Sequence, residues 1–319
     1  MTLPVKKIYI DSRFKTTDSN SNSNFKFQLA RNIMMPKNCV FYIEDVVIPH
    51  TWYTVEAGIN DKLYVRYKLN VTEGDTYPNS NVFDNGVISF PSFVGWTDRA
   101  LTIPSRNYTG SSLATQIQAL LNGMADGYFL ASYNTNTNEI SIMSKTANAS
   151  FQILTDRDLA SGLNGSWNLP IYPNGATNST YDSGSNYDRT NPASCNEVLR
   201  NSDGFSPVYS LIPYNPFISG FLDLRPIRNV YISSPNLGSF TTLGSRGESN
   251  IVKKVPVTSD YGYLIVDSFT SSHDFLNCSN QTLSTIEFNL KDVKGNFIPL
   301  HGANVSFSVV FSTYSEDKG

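Results

Sequence analysis

Apolar residues recur at every second position near both ends of this chain and lose that regularity in between. Phe25, Phe27 and Leu29, then Leu63, Val65, Tyr67 and Leu69, open the pattern; Ile286, Phe288 and Leu290, then Val305, Phe307 and Val309, close it. A period of two sends alternate side chains to opposite faces of a strand, one into a core and the other toward water or a partner. Early strands are predicted at 7–11, 25–30, 39–48 and 63–69, and late ones at 221–224, 229–233, 250–257, 261–268, 282–290 and 304–311. The segment 39–48 (CVFYIEDVVI) is almost wholly apolar or β-branched, so it reads as a strand buried on both faces, ended by Pro49. The strand at 63–69 pairs either with it, through the turn at 58–61, or with a more distant partner. Together these strands suffice for two facing antiparallel sheets of about four strands each, in the manner of a jelly roll.

From Asn70 the pattern changes. A loop at 72–81 and short strands at 87–90 and 100–103 lead to the one convincing helix. Leu113, Ile117, Leu120 and Leu121 share one of its faces, Thr109, Ser111 or Ser112 can cap its start, and Gly123 is placed to end it. Strands at 129–133 and 139–143 around a polar turn form a hairpin. The local unit is thus β-α-β-β, a small sheet with one helix covering its apolar side. A weak helix begins at Thr155, 162–191 reads as Gly/Asn/Ser/Tyr loop, and 194–201 holds a last helical turn. The predicted fold class is all-β: a single jelly-roll β-sandwich, residues 1–69 and 215–319, with an inserted α+β domain, 70–214.

Composition supports two domains, because 319 residues exceed what one core usually serves. Hydrophobic residues make up 40%. Charged residues make up only 16%, against roughly 25% in an ordinary soluble domain, and Asn, Ser and Thr fill the difference. A neutral polar surface costs less to desolvate than a charged one and suits a chain that packs against copies of itself. Net charge is −3, so direct nucleic-acid binding is not expected. The lysine pairs Lys6–Lys7 and Lys253–Lys254 sit at strand edges, where lysines keep an edge soluble. Cys39, Cys195 and Cys278 are odd in number and far apart, which indicates buried free thiols and a reducing, soluble compartment. No apolar run is long enough to span a membrane.

Chemistry for catalysis is missing from the pattern. His50, His273 and His301 are isolated; Asp274 beside His273 would point to the opposite face of a strand. Glu44–Asp45, adjacent on a strand, cannot flank one bond as a glycosidase pair does. Trp52, Trp96 and Trp167 are too widely spaced for a sugar-stacking platform and read as core. No catalytic, cofactor-binding or metal-ligating residue is assigned, no cofactor is expected, and the chain is read as a non-enzyme.

Two loop-rich stretches, 231–257 (YISSPNLGSFTTLGSRGESNIVKKVPV) and 287–307 (EFNLKDVKGNFIPLHGANVSF), carry a further signal. In the second, Lys294-Gly-Asn marks a tight hairpin turn and Pro299-Leu-His-Gly delays the last strand. With the opening Ile8-Tyr-Ile-Asp-Ser-Arg and with Phe25-Lys-Phe-Gln-Leu, these stretches resemble the minor capsid, or penton, proteins of virophages and polinton-like viruses. The resemblance covers about the first 70 and last 100 residues; Ile103-Pro-Ser-Arg-Asn-Tyr-Thr-Gly before the helix is similar to modules inserted in such proteins. It implies a vertical jelly roll, a homopentamer closing a vertex of an icosahedral capsid in the virion, assembly in the host cell, and a separate major capsid protein as neighbour. The inserted domain would then lie on the outer side of the vertex. A head-to-tail ring needs two different complementary patches per subunit. A second reading makes the inserted domain an attachment module for a host receptor or glycan, on the strength of the 162–191 loop.

Overall fold

The computed structural model describes residues 4–69, 82–84, 87–89, 97–124, 129–145, 149–155, 194–201, 209–210, 216–238, 240–244 and 247–313. Contacts divide the chain into two compact units, Met1–Trp52 with Ile227–Gly319, and Tyr53–Pro226. No residue belongs to both hydrophobic cores.

The first unit begins with β1 (Pro4–Asp11), β2 (Asn24–Met34) and β3 (Cys39–Pro49). The second supplies β4 (Lys62–Leu69), β5 (Val82–Asp84), β6 (Val87–Ser89), β7 (Thr97–Thr102), α1 (Gly110–Met124), β8 (Phe129–Asn134), β9 (Glu139–Ser144) and β10 (Ala149–Ile153). Its last elements are α2 (Asn196–Leu199), β11 (Tyr209–Ser210) and β12 (Phe217–Ile218). The first unit resumes with β13 (Asn229–Ser233), β14 (Ile251–Pro256), β15 (Leu264–Asp267), β16 (Leu276–Asn277), β17 (Thr282–Lys291) and β18 (Ser306–Thr313).

In the first unit one sheet has the order β1-β18-β3-β15, with β16 also on β3, and the other β14-β13-β17-β2. Every pairing within them is antiparallel. The chain passes between the sheets at β1 to β2, β2 to β3, β3 to β13, β14 to β15, β16 to β17 and β17 to β18, which is jelly-roll winding. The expected two-sheet sandwich is therefore present. Its core follows the alternation: Phe25 and Phe288 of one sheet meet Phe307 of the other at ring separations of 6.5 and 4.7 Å. At the 292–296 turn, Asp292 Oδ1 accepts from the amides of Lys294 and Asn296, and Gly295 takes φ +85°. The glycine meets a left-handed requirement that a side chain would strain.

The sequence expected β3 to be buried on both faces. Instead its residues alternate between buried and half-buried, because it is central in its sheet but only its inner face lies in the core.

In the second unit one sheet has the order β11-β10-β4-β7 and another β12-β9-β8. This corrects the predicted partition. β4 pairs with β7 and β10, the more distant partners, so its Leu63 and Val65 belong to the second core. The division accordingly falls at 52/53 and 226/227, not at 69/70 and 214/215. Thr109 and Ser112 cap α1 reciprocally, each hydroxyl accepting from the other's amide at 3.2 and 2.9 Å. Leu113, Ile117 and Leu121 of α1 are buried, while Leu120 packs at the margin. The predicted β-α-β-β unit is spread over two sheets: β7 pairs with β4, whereas β8 and β9 form the expected hairpin. Gln118 and Asn122 of α1 accept from the amides of Ala131 and Phe129, so the helix covers the open edge of β8.

The strand expected at 221–224 does not form. Its amides are drawn to separate acceptors, Leu222 to Asn138 and Asp223 to Val198, which leaves the segment irregular. The helical turn expected at 194–201 is α2. Beyond Thr155 itself, the helix expected to begin there lies outside the described residues, as do the loops 72–81 and 162–191 and both Trp96 and Trp167.

Candidate assembly surface

The three histidines occupy separate places. His50 is 6% exposed, its Nδ1 is 2.8 Å from the Ser259 carbonyl, and its ring lies 4.4 Å from that of buried Trp52. His273 sits not on a strand but in the 3-10 turn Ser272–Asp274, where Asp274 accepts from the Ser271 amide in a capping box. His301 is an exposed turn residue with φ +49°. All three cysteines are buried, and none is in a disulfide. Among the described residues no three His, Cys, Asp or Glu side chains group as metal ligands. No helix among them is long and apolar enough to cross a membrane.

The informative geometry lies on the outside of the sandwich. Register places Lys254, Tyr231, Lys291, Glu287, Lys26 and Gln28 on the outer face of the β14-β13-β17-β2 sheet. That face is polar and charged. On it, a cleft of about 280 Å³ is lined by Tyr231, Ser233, Glu248 and Asn250 from one of the two loop-rich stretches and by Asn289 and Lys291 from the other. The fold thus brings these stretches together.

The outer face of the β1-β18-β3-β15 sheet differs. It carries Tyr9, Tyr42, Val47, Leu264, Val266 and buried Val310, with Ser306, Ser308 and Ser312 between them. Tyr42 stacks edge-on against half-exposed Phe275 at 4.9 Å. Its charged residues include Asp11 at the end of edge strand β1 and Lys7 on the same strand, which pairs with Glu44 at a bulge in β3. Asp45 Oδ1 is buried beside them without a hydrogen bond. Glu44 and Asp45, read from sequence as a pair with no catalytic geometry, are here a bulge in an apolar sheet face.

At the β15 side, exposed apolar surface is concentrated. Tyr261, Tyr263, Leu264, Val266 and Phe269 are all exposed, five large side chains within nine residues. Sequence reasoning predicted a strand here and missed the surface. The signal was present: Tyr263-Leu-Ile-Val has no polar residue at alternate positions, so both faces of the strand are apolar.

Lys253 holds this stretch. Its side chain is only 8% exposed, and its ammonium donates to the carbonyls of Phe269 (2.8 Å) and Ile43 (3.2 Å) and lies 3.5 Å from Asp267. The expectation that both lysines of 253–254 keep an edge soluble is therefore right in geometry only for exposed Lys254. The bulge between Ile232 and Ser233 offsets the register of β14, and Lys253 reaches across to the other sheet.

No protein-family model matches the chain, and no curated protein matches it. Among solved structures it is similar to the crystal structure of the selenomethionine-labelled mavirus penton protein. The superposition has a TM-score of 0.46 at 11% identity and covers 97% of this chain and 100% of that one.

Proposed function

We propose that this chain is a structural capsid protein that assembles as a homopentamer and closes the fivefold vertices of an icosahedral capsid, beside a separate major capsid protein and without catalysis. The observation that carries the reading is the inequality of the two sandwich faces. One outer face is polar and charged; the other presents exposed Tyr9, Leu264 and Val266 to the outside. Exposed apolar surface concentrated in one stretch, as at Tyr261, Tyr263, Leu264, Val266 and Phe269, marks a place where another macromolecule packs. The low charged fraction, 16%, removes much of the desolvation cost of such packing. The resemblance of 8–13, 25–29, 231–257 and 287–307 to penton proteins supplies the kind of assembly. Native mass spectrometry of the purified chain is expected to show a five-copy species. A monomer at every concentration, or a particle reconstruction with the chain away from the fivefold positions, would sink the reading.

A further inference from the structure

Register sets the base of the cleft on the charged face of the sandwich. Tyr231 and Ser233 on β13 lie opposite Lys291 and Asn289 on β17, so two interior strands put four side chains on one patch. Two tight turns wall it. In one, Leu243 bridges to Ser249 and the Gly244 amide donates to the Glu248 carbonyl at 2.7 Å. In the other, Lys291 bridges to Phe297 around the turn that Asp292 holds. Glycine makes room between them. A Cβ at Gly244 would lie 2.5 Å from Glu248 Oε2, and one at Gly295 would lie 3.7 Å from its Oε1, so that carboxylate stands between the two walls.

The lining is ordered, yet much of its polar surface is uncommitted. Among the described residues, the side chains of Tyr231, Ser233, Asn250 and Asn289 are half-buried and make no hydrogen bond within the chain. Asn250 is held in the left-handed region at φ +62°, with its carbonyl accepting from the Ser234 amide at 3.0 Å. Residues kept in that region gather at ligand sites. The backbone around the cleft is thus fixed before any ligand arrives, which lowers what binding costs.

We infer that this cleft binds a neutral saccharide, the terminal ring of a glycan, through the hydroxyl and amide groups of Ser233, Asn250 and Asn289 and the ring of Tyr231. Each asparagine amide offers both a donor and an acceptor, which is what neighbouring sugar hydroxyls need. The other ligand classes fit less well. An anion would meet the carboxylates of Glu248 and Asp292 against the single ammonium of Lys291, itself 5.0 Å over the Phe297 ring. An apolar tail would find only Pro235, Ile251 and Val293 as aliphatic lining. An extended peptide needs unpaired backbone at a sheet edge, whereas β13 and β17 each have a strand on both sides. A volume of about 280 Å³ lies just under the roughly 300–1,000 Å³ of small-molecule sites, room for a short saccharide and not a long chain. One sandwich supplies every lining residue, so the site does not depend on assembly.

The test is saturation-transfer NMR on the full chain. The probes are the methyl glycosides of glucose, galactose, mannose and N-acetylglucosamine, with N-acetylneuraminic acid as the anionic probe and blocked trialanine as the peptide. At least one neutral glycoside is expected to give a saturable signal. Tyr231→Ala should weaken it by about tenfold, the loss of an aromatic contact. Asn289→Asp keeps the shape and the fold but replaces the amide donor by a charge, and should weaken it too. Glu287→Gln, on the same sheet face but outside the cleft, should leave it unchanged. Silence from every neutral glycoside overturns the inference, as does a signal from the acid or the peptide in their place, or a glycoside signal that survives both cleft substitutions. None of these results bears on self-assembly, and a chain that never assembles leaves the cleft whole.

Discussion

Lys253 shows how one buried cation can join two sheets. Its ammonium bridges the Ile43 carbonyl on β3, the Phe269 carbonyl beyond β15 and the Asp267 carboxylate, from a stem rooted on the opposite sheet. Lys253→Met keeps the apolar stem but removes the bonds to the Ile43 and Phe269 carbonyls and takes the cation away from Asp267, which keeps the Phe269 amide. Losing hydrogen bonds made by a charged group costs about 1–3 kcal/mol, so thermal or denaturant unfolding should show a loss of that size. Limited proteolysis should also open the chain near Phe269. Asp18 offers a second residue-scale measurement. The Lys26 ammonium, 2.7 Å away, and then the Thr16 hydroxyl hold its carboxyl at about 2, below the ordinary 3.8. A lowered folded pKa means that the contribution is present above the ordinary value and lost as pH falls toward 2. Carboxyl titration by NMR should find that midpoint, and in Lys26→Gln it should move back toward 3.8.

At the scale of elements, α1 makes a prediction opposite in sign to helix propensity. Alanine normally improves a helical glycine by up to about 1 kcal/mol. A Cβ at Gly110, however, would lie 2.3 Å from the Tyr133 ring, whose hydroxyl donates to Asn138 at 2.7 Å. The ring has to shift and give up that bond, so Gly110→Ala should destabilise the chain by about 1–3 kcal/mol, as overpacking does. The β3–β16 pairing makes another. Cys278 donates its amide to the Cys39 carbonyl at 3.0 Å, and burial pushes both thiols above their ordinary 9.0. Native protein should not react with a thiol reagent, and unfolded protein should expose three thiols. Because the folded thiols keep protons that unfolded ones release, stability falls as pH rises through 9. Alternation and capping made α1, the β8–β9 hairpin and the sandwich strands legible from sequence, since those signals are local. β4 was misplaced because a period of two fixes which face is buried and not which strand lies alongside. Lys253 was misread for a related reason: a lysine at a strand edge looks the same whether its stem turns outward or across the sandwich. The β15 surface lay in plain view at Tyr263-Leu-Ile-Val, but exposure depends on which strand ends the sheet, and only the topology decides that.

For the whole molecule, the decisive fact is that the two units have separate cores, one with Phe25, Phe288 and Phe307, the other with Ile117, Phe129 and Phe151. Unfolding of such a chain need not be one cooperative event. Calorimetry is expected to resolve two transitions, and the substitutions above assign them: Lys253→Met should lower only the sandwich transition and Gly110→Ala only the other. Self-assembly adds a condition that a monomeric sandwich would not meet. Copies that bind the folded sandwich and not its unfolded chain raise its stability with their concentration, by about 2.7 kcal/mol at one hundred times the dissociation constant. The sandwich transition should therefore climb as protein is concentrated, while the transition that Gly110→Ala marks should stay where it is. In Val266→Lys the climb should vanish although the dilute-limit transition is unchanged, because that side chain is exposed and its substitution touches association alone. A sandwich transition independent of concentration in the parent chain would mean that its apolar face is covered by something other than a copy of itself.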